Sequence, residues 1–238
     1  MAAQKRISYK QDQKTMHNVF DEFTNRNIYK LMTEGYFKGV IGQITLGKES
    51  NVFQARKEDG SKVIVKIYRL ESCDFNRMYD YIKYDPRFLK LKKVRREIIF
   101  AWTQREYRNL LKAREAGVSV PTPLTFKDNI LLEEFIGDDE PAPKLKDLRP
   151  EDPQAFFEKV IINLKKLYKA KLVHADLSAF NILNDNEKPV FIDFSQCTPF
   201  DNPNAKEYLL RDIKNVCIHF KKLGVQAELD AVIDTLKK

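Results

Sequence analysis

An α+β fold of two lobes, the first rich in strands and the second helical, follows from three observations. Val52, Phe53 and Ala55 lead through Glu58-Asp59-Gly60 into Val63-Ile64-Val65-Lys66-Ile67-Tyr68, which reads as a β-hairpin. Phe157, Val160, Ile161, Leu164, Leu167 and Tyr168 recur at helical spacing, so about 151–170 is an amphipathic helix. Between them, Gly137-Asp138-Asp139-Glu140-Pro141-Ala142-Pro143 is a polar, turn-forming connector. The 238 residues make one large domain or two small lobes. The expected boundaries are an N-terminal helical extension over 1–35, a first lobe over 36–137 and a second over 138–238.

The remaining elements follow in chain order. Residues 15–35 read as two short helices with Phe20, Phe23, Tyr29, Leu31 and Met32 on their apolar faces and Gly35 as a stop. Strands fill 36–68. The stretch 71–95 is polar and charged, and its aromatics Tyr79, Tyr81, Tyr84 and Phe88 show no period. A long helix over 94–116 turns Ile98, Ile99, Trp102, Leu110 and Leu111 inward and ends at Gly117. Strands at 124–127 and 130–136 meet at Asp128-Asn129. Short strands are expected at 182–184 and 189–193, and two helices, 204–223 and 226–237, close the chain.

Composition excludes several classes. Sixteen Phe and ten Tyr supply a core, which rules out disorder as the main state. Three cysteines, Cys73, Cys197 and Cys217, form no framework and no zinc spacing, so a reducing, cytoplasmic setting without zinc is expected. No apolar run approaches a membrane span. The net charge of +8 suits a polyanion, whether nucleic acid or nucleotide phosphate, and equally suits a lysine-rich solvated surface.

The chemistry concentrates in two places. In His174-Ala175-Asp176-Leu177-Ser178-Ala179-Phe180-Asn181, an Asp is followed five residues later by an Asn; Asp193 comes next, in Val190-Phe191-Ile192-Asp193-Phe194. This is the layout of a phosphotransferase loop followed by a metal-binding carboxylate. Asp176 would orient an acceptor hydroxyl or take its proton. Asn181 and Asp193 offer the hard oxygens that suit Mg²⁺ on nucleotide phosphates. In the first lobe, Lys66 sits on an apolar strand and needs an anionic partner. Glu106, mid-helix and forty residues on, is the candidate pair. Leu46-Gly47-Lys48-Glu49-Ser50-Asn51-Val52 joins two strands and could fold over phosphates, although it has neither the three glycines of the usual kinase loop nor a Walker sequence. His174 is assigned a structural role. Lys90-Leu91-Lys92-Lys93-Val94-Arg95-Arg96 could bind RNA phosphates or be an exposed basic loop.

Together, Gly47-Lys48-Glu49-Ser50-Asn51-Val52, Val65-Lys66-Ile67-Tyr68, His174-Ala175-Asp176-Leu177-Ser178, Ile192-Asp193-Phe194-Ser195-Gln196 and Asn202-Pro203-Asn204-Ala205 resemble the RIO family of atypical serine/threonine protein kinases, and the His-Ala-Asp-Leu-Ser loop its first subfamily. The resemblance implies a two-lobed, minimal protein-kinase-like fold. It makes Gly47, Lys48, Ser50 and Val52 the phosphate-covering loop, Lys66 the contact to the α/β-phosphates paired with Glu106, and Glu134 and Ile136 the hinge that binds adenine. Asp176 becomes the catalytic aspartate. Asn181 and Asp193 become the metal ligands, and Asp193 the acceptor if an aspartyl-phosphate forms. The stretch 83–95 corresponds to the family's flexible loop. ATP and Mg²⁺, with Mn²⁺ as a substitute, are the implied cofactors. A protein serine or autophosphorylation site and the small ribosomal subunit precursor or its rRNA are the implied partners, with no membrane. ATPase activity alongside the kinase activity is also implied. Ala175 replaces the arginine of the usual His-Arg-Asp, Ser195 replaces the glycine of Asp-Phe-Gly, and no Ala-Pro-Glu segment follows, so the usual peptide-substrate platform is not expected. Two rival readings are a small-molecule phosphotransferase of the aminoglycoside or choline kinase type and a non-catalytic nucleotide-sensing ribosome-binding module.

Overall fold

The computed structural model describes residues 20–238. A helix α1 (Glu22–Thr33) precedes three antiparallel strands, β1 (Gly39–Leu46), β2 (Ser50–Arg56) and β3 (Lys62–Tyr68). Two helices follow, α2 (Phe75–Ile82) and α3 (Arg95–Glu115), and then strands β4 (Pro123–Lys127) and β5 (Ile130–Glu134). The second lobe holds α4 (Pro153–Lys169), β6 (Leu172–Val173), β7 (Ile182–Asp185), β8 (Lys188–Phe191), β9 (Thr198–Pro199), α5 (Ala205–Lys222) and α6 (Leu229–Lys237). The order β1-β2-β3-β5-β4 makes one antiparallel sheet; β6-β9 and β7-β8 are small pairs. The fold is the expected α+β arrangement of a kinase-like chain.

The period of two along β3 sets up the site. Val63, Val65 and Ile67 point into a core with Ile28, Leu31, Phe53 and Leu132 beneath α1. Ile64 and Lys66 take the opposite face, toward the second lobe. Both faces are covered, so the strand reads as a nearly continuous apolar run. Gly47 makes the β1–β2 turn possible: its N–H donates to the Ser50 carbonyl at 2.9 Å, and a Cβ there would lie 2.7 Å from that oxygen. Gly137 opens the connector at φ +128°, where the Ala142 N–H returns to the Ile136 carbonyl at 2.9 Å.

Some elements depart from the sequence expectation. Of the two helices read over 15–35, the described residues contain one; the rest of that stretch lies outside them. The aperiodic stretch 71–95 contains α2. Asp74 caps it by accepting the Arg77 N–H at 3.1 Å, and Met78, Tyr81 and Ile82 at three- and four-residue spacing bury its inner face. Leu111 faces outward, 36% exposed. The inner face of α3 instead buries Arg105, Glu106 and Asn109, polar residues that an apolar-period reading passes over. The strand expected over 189–193 ends at Phe191, and the one expected over 130–136 ends at Glu134.

That polar face ties α3 to the second lobe. The Arg105 guanidinium donates to the Ser195 carbonyl at 2.5 Å, and Asn109 Nδ2 donates to the carbonyls of Phe194 at 2.9 Å and Cys197 at 2.8 Å. Asp85, 1% exposed, accepts from Arg105 Nε at 3.2 Å and from Arg87. Asp85→Ala leaves the Arg105 charge buried without its carboxylate. It should destabilise the fold by about 3–5 kcal/mol in denaturant titration, and adding Arg105→Met should recover part of the loss. An Asp85→Ala chain as stable as wild type would contradict this assignment.

Candidate active site

Lys66 is the junction of the site. Its β3 position places it across from Val52 on β2 and Leu131 on β5. The ammonium lies 2.7 Å from Glu106 Oε1 on α3 and 3.1 Å from Asp193 Oδ1 in the second lobe. The expected Lys66–Glu106 pair therefore forms, and a second carboxylate joins it. Burial pushes the Lys66 pKa down, but Asp193 and Glu106 outweigh it and hold the ammonium well above its ordinary value. Glu106 is fully buried, and the Tyr68 hydroxyl donates to its other oxygen.

Asp193 sits just past β8 in the left-handed region, φ +63°. This conformation turns its side chain back toward Lys66 rather than along the strand. Its Oδ1 accepts from Lys66 and from Ser195 Oγ at 2.7 Å. Burial would raise its pKa, but Lys66 and the Ser195 hydrogen bond bring it down to about 2. Oδ2 is left for another ligand.

Asp176 lies beside it on the loop after β6. Asn181 Nδ2 donates to the Asp176 carbonyl at 2.9 Å and to Oδ2 at 3.3 Å, and Gln196 Nε2 reaches the same Oδ2 at 3.3 Å. Asn181 thus spends its amide N–H groups on Asp176 and keeps Oδ1. Burial and then the Asp193 charge raise the Asp176 pKa. The loop is held from behind by Asp212 on α5, whose carboxylate accepts the Ala175 and Leu177 N–H groups at 2.7 and 2.8 Å. Ala175 itself has φ +67°, a conformation that this anchoring maintains.

Gly47, Lys48, Ser50, Val52, Lys66, Glu134, Ile136, Asn181 and Asp193 all line one cavity of about 700 Å³ between the lobes. Glu106 stands behind Lys66, outside the cavity wall. Asp176 borders the cleft through Asn181. The Glu134 carboxylate turns away to Thr122, accepting from its hydroxyl at 2.6 Å and its N–H at 2.9 Å. The Glu134 N–H donates to the Thr122 carbonyl at 2.8 Å, so only the Glu134 carbonyl is left to meet a base. The Ile136 carbonyl already accepts from Ala142, which leaves the Ile136 N–H as the group that could donate to a base. Tyr68, Ser195 and Gln196, which lie in the quoted motifs but carry no assigned role there, and Asp212, Arg105, Asn109 and Glu133, which do not stand out in the sequence, belong to the site or its supports. Ser195 and Gln196 adjoin Asp193, and that proximity is their signal; Asp212 has no local signal.

Two free carboxylate and amide oxygens, on Asp193 and Asn181, fit Mg²⁺, which takes one or two protein ligands and completes its shell with phosphate oxygens and water. Among the described residues no group of three or more His, Cys, Asp or Glu forms a metal cluster.

His174 is buried, with Nε2 3.1 Å from the Ile192 carbonyl and the ring packed edge-on to Phe194. Burial lowers its pKa to about 4, so it stays neutral near pH 7 and holds Ile192 rather than moving protons. Because its folded pKa lies below the unfolded value of about 6.5, its stabilisation is full above pH 6.5 and is lost as pH falls through 4. His174→Phe should flatten the acid limb of stability between those values by on the order of 3 kcal/mol. Parallel acid limbs in urea titrations of the two proteins would rule this out.

A family model described as the RIO domain matches residues 51–232. The RIO-type serine/threonine-protein kinase Rio1 of Methanocaldococcus jannaschii is 40% identical over 224 residues, covering 93% of this chain and 77% of that protein. The Rio1 of Haloferax volcanii is 39% identical over 222 residues with the same coverage. The human serine/threonine-protein kinase RIO1 is 34% identical, and the match covers 92% of this chain but 40% of the human protein. The Rio2 kinase of Chaetomium thermophilum, solved as an ADP/Mg²⁺-phosphoaspartate complex, superposes with a TM-score of 0.67 over 88% of this chain and 65% of that one; at 22% identity the likeness is one of fold. By these matches the chain belongs to the RIO family, as a RIO-type serine/threonine kinase of the first subfamily.

Proposed function

We propose that this chain binds Mg·ATP in the cavity between its lobes and transfers the γ-phosphoryl group to a serine hydroxyl, with hydrolysis of ATP as an alternative outcome. The observation that carries the reading is Lys66, held at 2.7 Å by Glu106 and at 3.1 Å by Asp193 against the cavity wall. Adenine lies against the backbone of Glu134 and Ile136. The β1–β2 turn, from Gly47 through Lys48 and Ser50 to Val52, covers the phosphates with backbone N–H groups, and the Lys66 ammonium neutralises the α/β-phosphates. Asn181 and Asp193 hold Mg²⁺, which when bound offsets charge on the β- and γ-phosphates. Asp176, kept in place by Asn181 and Gln196, orients the acceptor hydroxyl and takes its proton as the new P–O bond forms and ADP leaves. In a second route the Asp193 carboxylate accepts the phosphoryl group, giving an aspartyl-phosphate that a serine or water then discharges. The phosphoaspartate in the fungal Rio2 complex supports this second route.

The same reading places the protein in the cytoplasm on a precursor of the small ribosomal subunit, where Mn²⁺ could replace Mg²⁺ at the same oxygens. Support comes from the basic run. Lys90, Lys92, Lys93, Arg95 and Arg96 are all exposed. Arg95 and Arg96 lean on the Phe75 and Phe23 rings at 4.5 and 4.3 Å, and the three lysines extend the patch. No helix among the described residues is long and apolar enough to cross a membrane.

Two experiments test this. Asp176→Asn should keep Mg·ATP affinity and slow transfer by on the order of 10²–10⁴, whereas Asp193→Asn should weaken Mg²⁺-dependent ATP binding itself. The reverse pattern in titrations at varied Mg²⁺ would exchange the two roles. Replacing Lys90, Lys92 and Lys93 with Gln should reduce the salt slope of RNA binding by about 0.7 for each phosphate that a lysine no longer neutralises. An unchanged slope would show the patch to be solvated surface only.

A further inference from the structure

One ionisable side chain in the cavity has no part in the roles above. Glu133 is paired with Ile64 across β3–β5, two residues along the ladder from the Lys66–Leu131 pair. The alternation that turns Ile64 and Lys66 toward the cavity therefore turns Glu133 there as well, and all three line it. Its position is midway between the hinge, Glu134 to Ile136, and the phosphate end at Lys66. Its carboxyl receives no hydrogen bond from a described residue. Burial, followed by the nearby Glu106 charge, raises its pKa to about 8. A half-buried carboxyl group in the cavity wall with no hydrogen-bond partner is available to a ligand.

We propose that Glu133 selects the purine of the nucleotide, taking a hydrogen bond from the 6-amino group of adenine and disfavouring 6-oxo purines. This rests on the reading that the base lies against Glu134 and Ile136. A purine whose Watson–Crick edge meets the Ile136 N–H and the Glu134 carbonyl presents the outer side of position 6, and N7 beyond it, to the next residue up the strand, which is Glu133. Adenine shows an N–H donor at position 6 and an acceptor at N7; guanine and hypoxanthine show two acceptors there. An ionised carboxylate can only accept, so it bonds the amino group and repels the oxo group. A protonated carboxyl has one donor and one acceptor. It matches adenine at both atoms and a 6-oxo purine at no more than one. Selection for the amino purine thus holds in either protonation state.

The test is calorimetric titration of Mg·ATP and Mg·ITP into the full chain, the Glu133→Met variant and the Glu133→Leu variant. Both replacements fill the cavity wall and neither carries a group that bonds the purine, whereas Gln would keep an acceptor and a donor for the 6-amino group and N7. The ratio of ITP to ATP dissociation constants should be high in wild type and fall by about tenfold in Glu133→Met, as expected for the loss of one hydrogen bond to a charged or buried group. It should fall in Glu133→Leu as well, so the result does not depend on whether the Met variant folds. The hinge contributes its own preference at N1, so the readout is the change in the ratio on substitution. A wild-type ratio preserved within about threefold in both variants overturns the proposal while leaving ATP binding at the hinge intact. A wild-type chain that binds neither nucleotide overturns the underlying reading together with this one.

Discussion

A buried ammonium between two carboxylates on different elements is the constraint around which this molecule is arranged. Lys66 comes from the sheet, Glu106 from α3 and Asp193 from the second lobe. Taking any one of these charges out of water alone would cost several kcal/mol, and the three are tolerable only together. Satisfying Lys66 therefore requires α3 to lie against β3 at one rotation and the 192–197 loop to close against both. The Tyr68 hydroxyl and Ser195 Oγ occupy further lone pairs of the two carboxylates, leaving each with a defined orientation.

The rotation of α3 is in turn set by its buried polar face. Trp102, Ile98 and Ile99 give the helix an apolar anchor, but apolar packing is tolerant of small rotations. The Arg105 and Asn109 bonds to the Ser195, Phe194 and Cys197 carbonyls are not, because each needs a donor within hydrogen-bond range of a fixed oxygen. Glu106 is one residue from Arg105, so the same bonds that hold the loop also aim Glu106 at Lys66. Two of the positive-φ residues, Ala175 and Asp193, show where the backbone bends to bring the loops together. Asp212 keeps the first bend by accepting the flanking N–H groups, and the hydrogen bonds to the 194–197 carbonyls keep the second.

Much of this is legible in the sequence wherever a period or a spacing carries the signal. The 52–68 hairpin, α4 and the Asp176–Asn181–Asp193 spacing are local patterns, and Lys66 stands out because a charge on an apolar strand demands explanation. The Lys66–Glu106 pair follows for the same reason. Helix α2 escapes a reading by period because eight residues hold too few apolar positions, and its signal is the Asp74 cap. The inner face of α3 misleads at Leu111 because Arg105 and Asn109 look like surface residues until the carbonyls they serve, about ninety residues away, are in place. Asp212 and Glu133 are invisible for a related reason: the first matters through hydrogen bonds to a backbone some 35 residues distant, and the second through strand register.

On the proposed reading, the charge pattern gives the cleft a reason to take a divalent ion with its nucleotide. Burial and then the Asp193 charge raise the pKa of Asp176 and that of Glu49 on the β1–β2 turn. Lys66 answers only part of this negative charge, since it is committed to Glu106 as well. Bringing in triphosphate alone would add more negative charge to a site already holding three carboxylates. A cation on the free oxygens of Asp193 and Asn181 reverses that balance at short range, where the low-dielectric walls screen least. It relieves the repulsion on Asp176 and Glu49 in the same event. On the proposed reading, metal and nucleotide binding would be coupled through Asp193, and an ion held there would lower the proton affinity of Asp176. The ion would thereby favour ionised Asp176, the state that can accept the proton of an incoming hydroxyl.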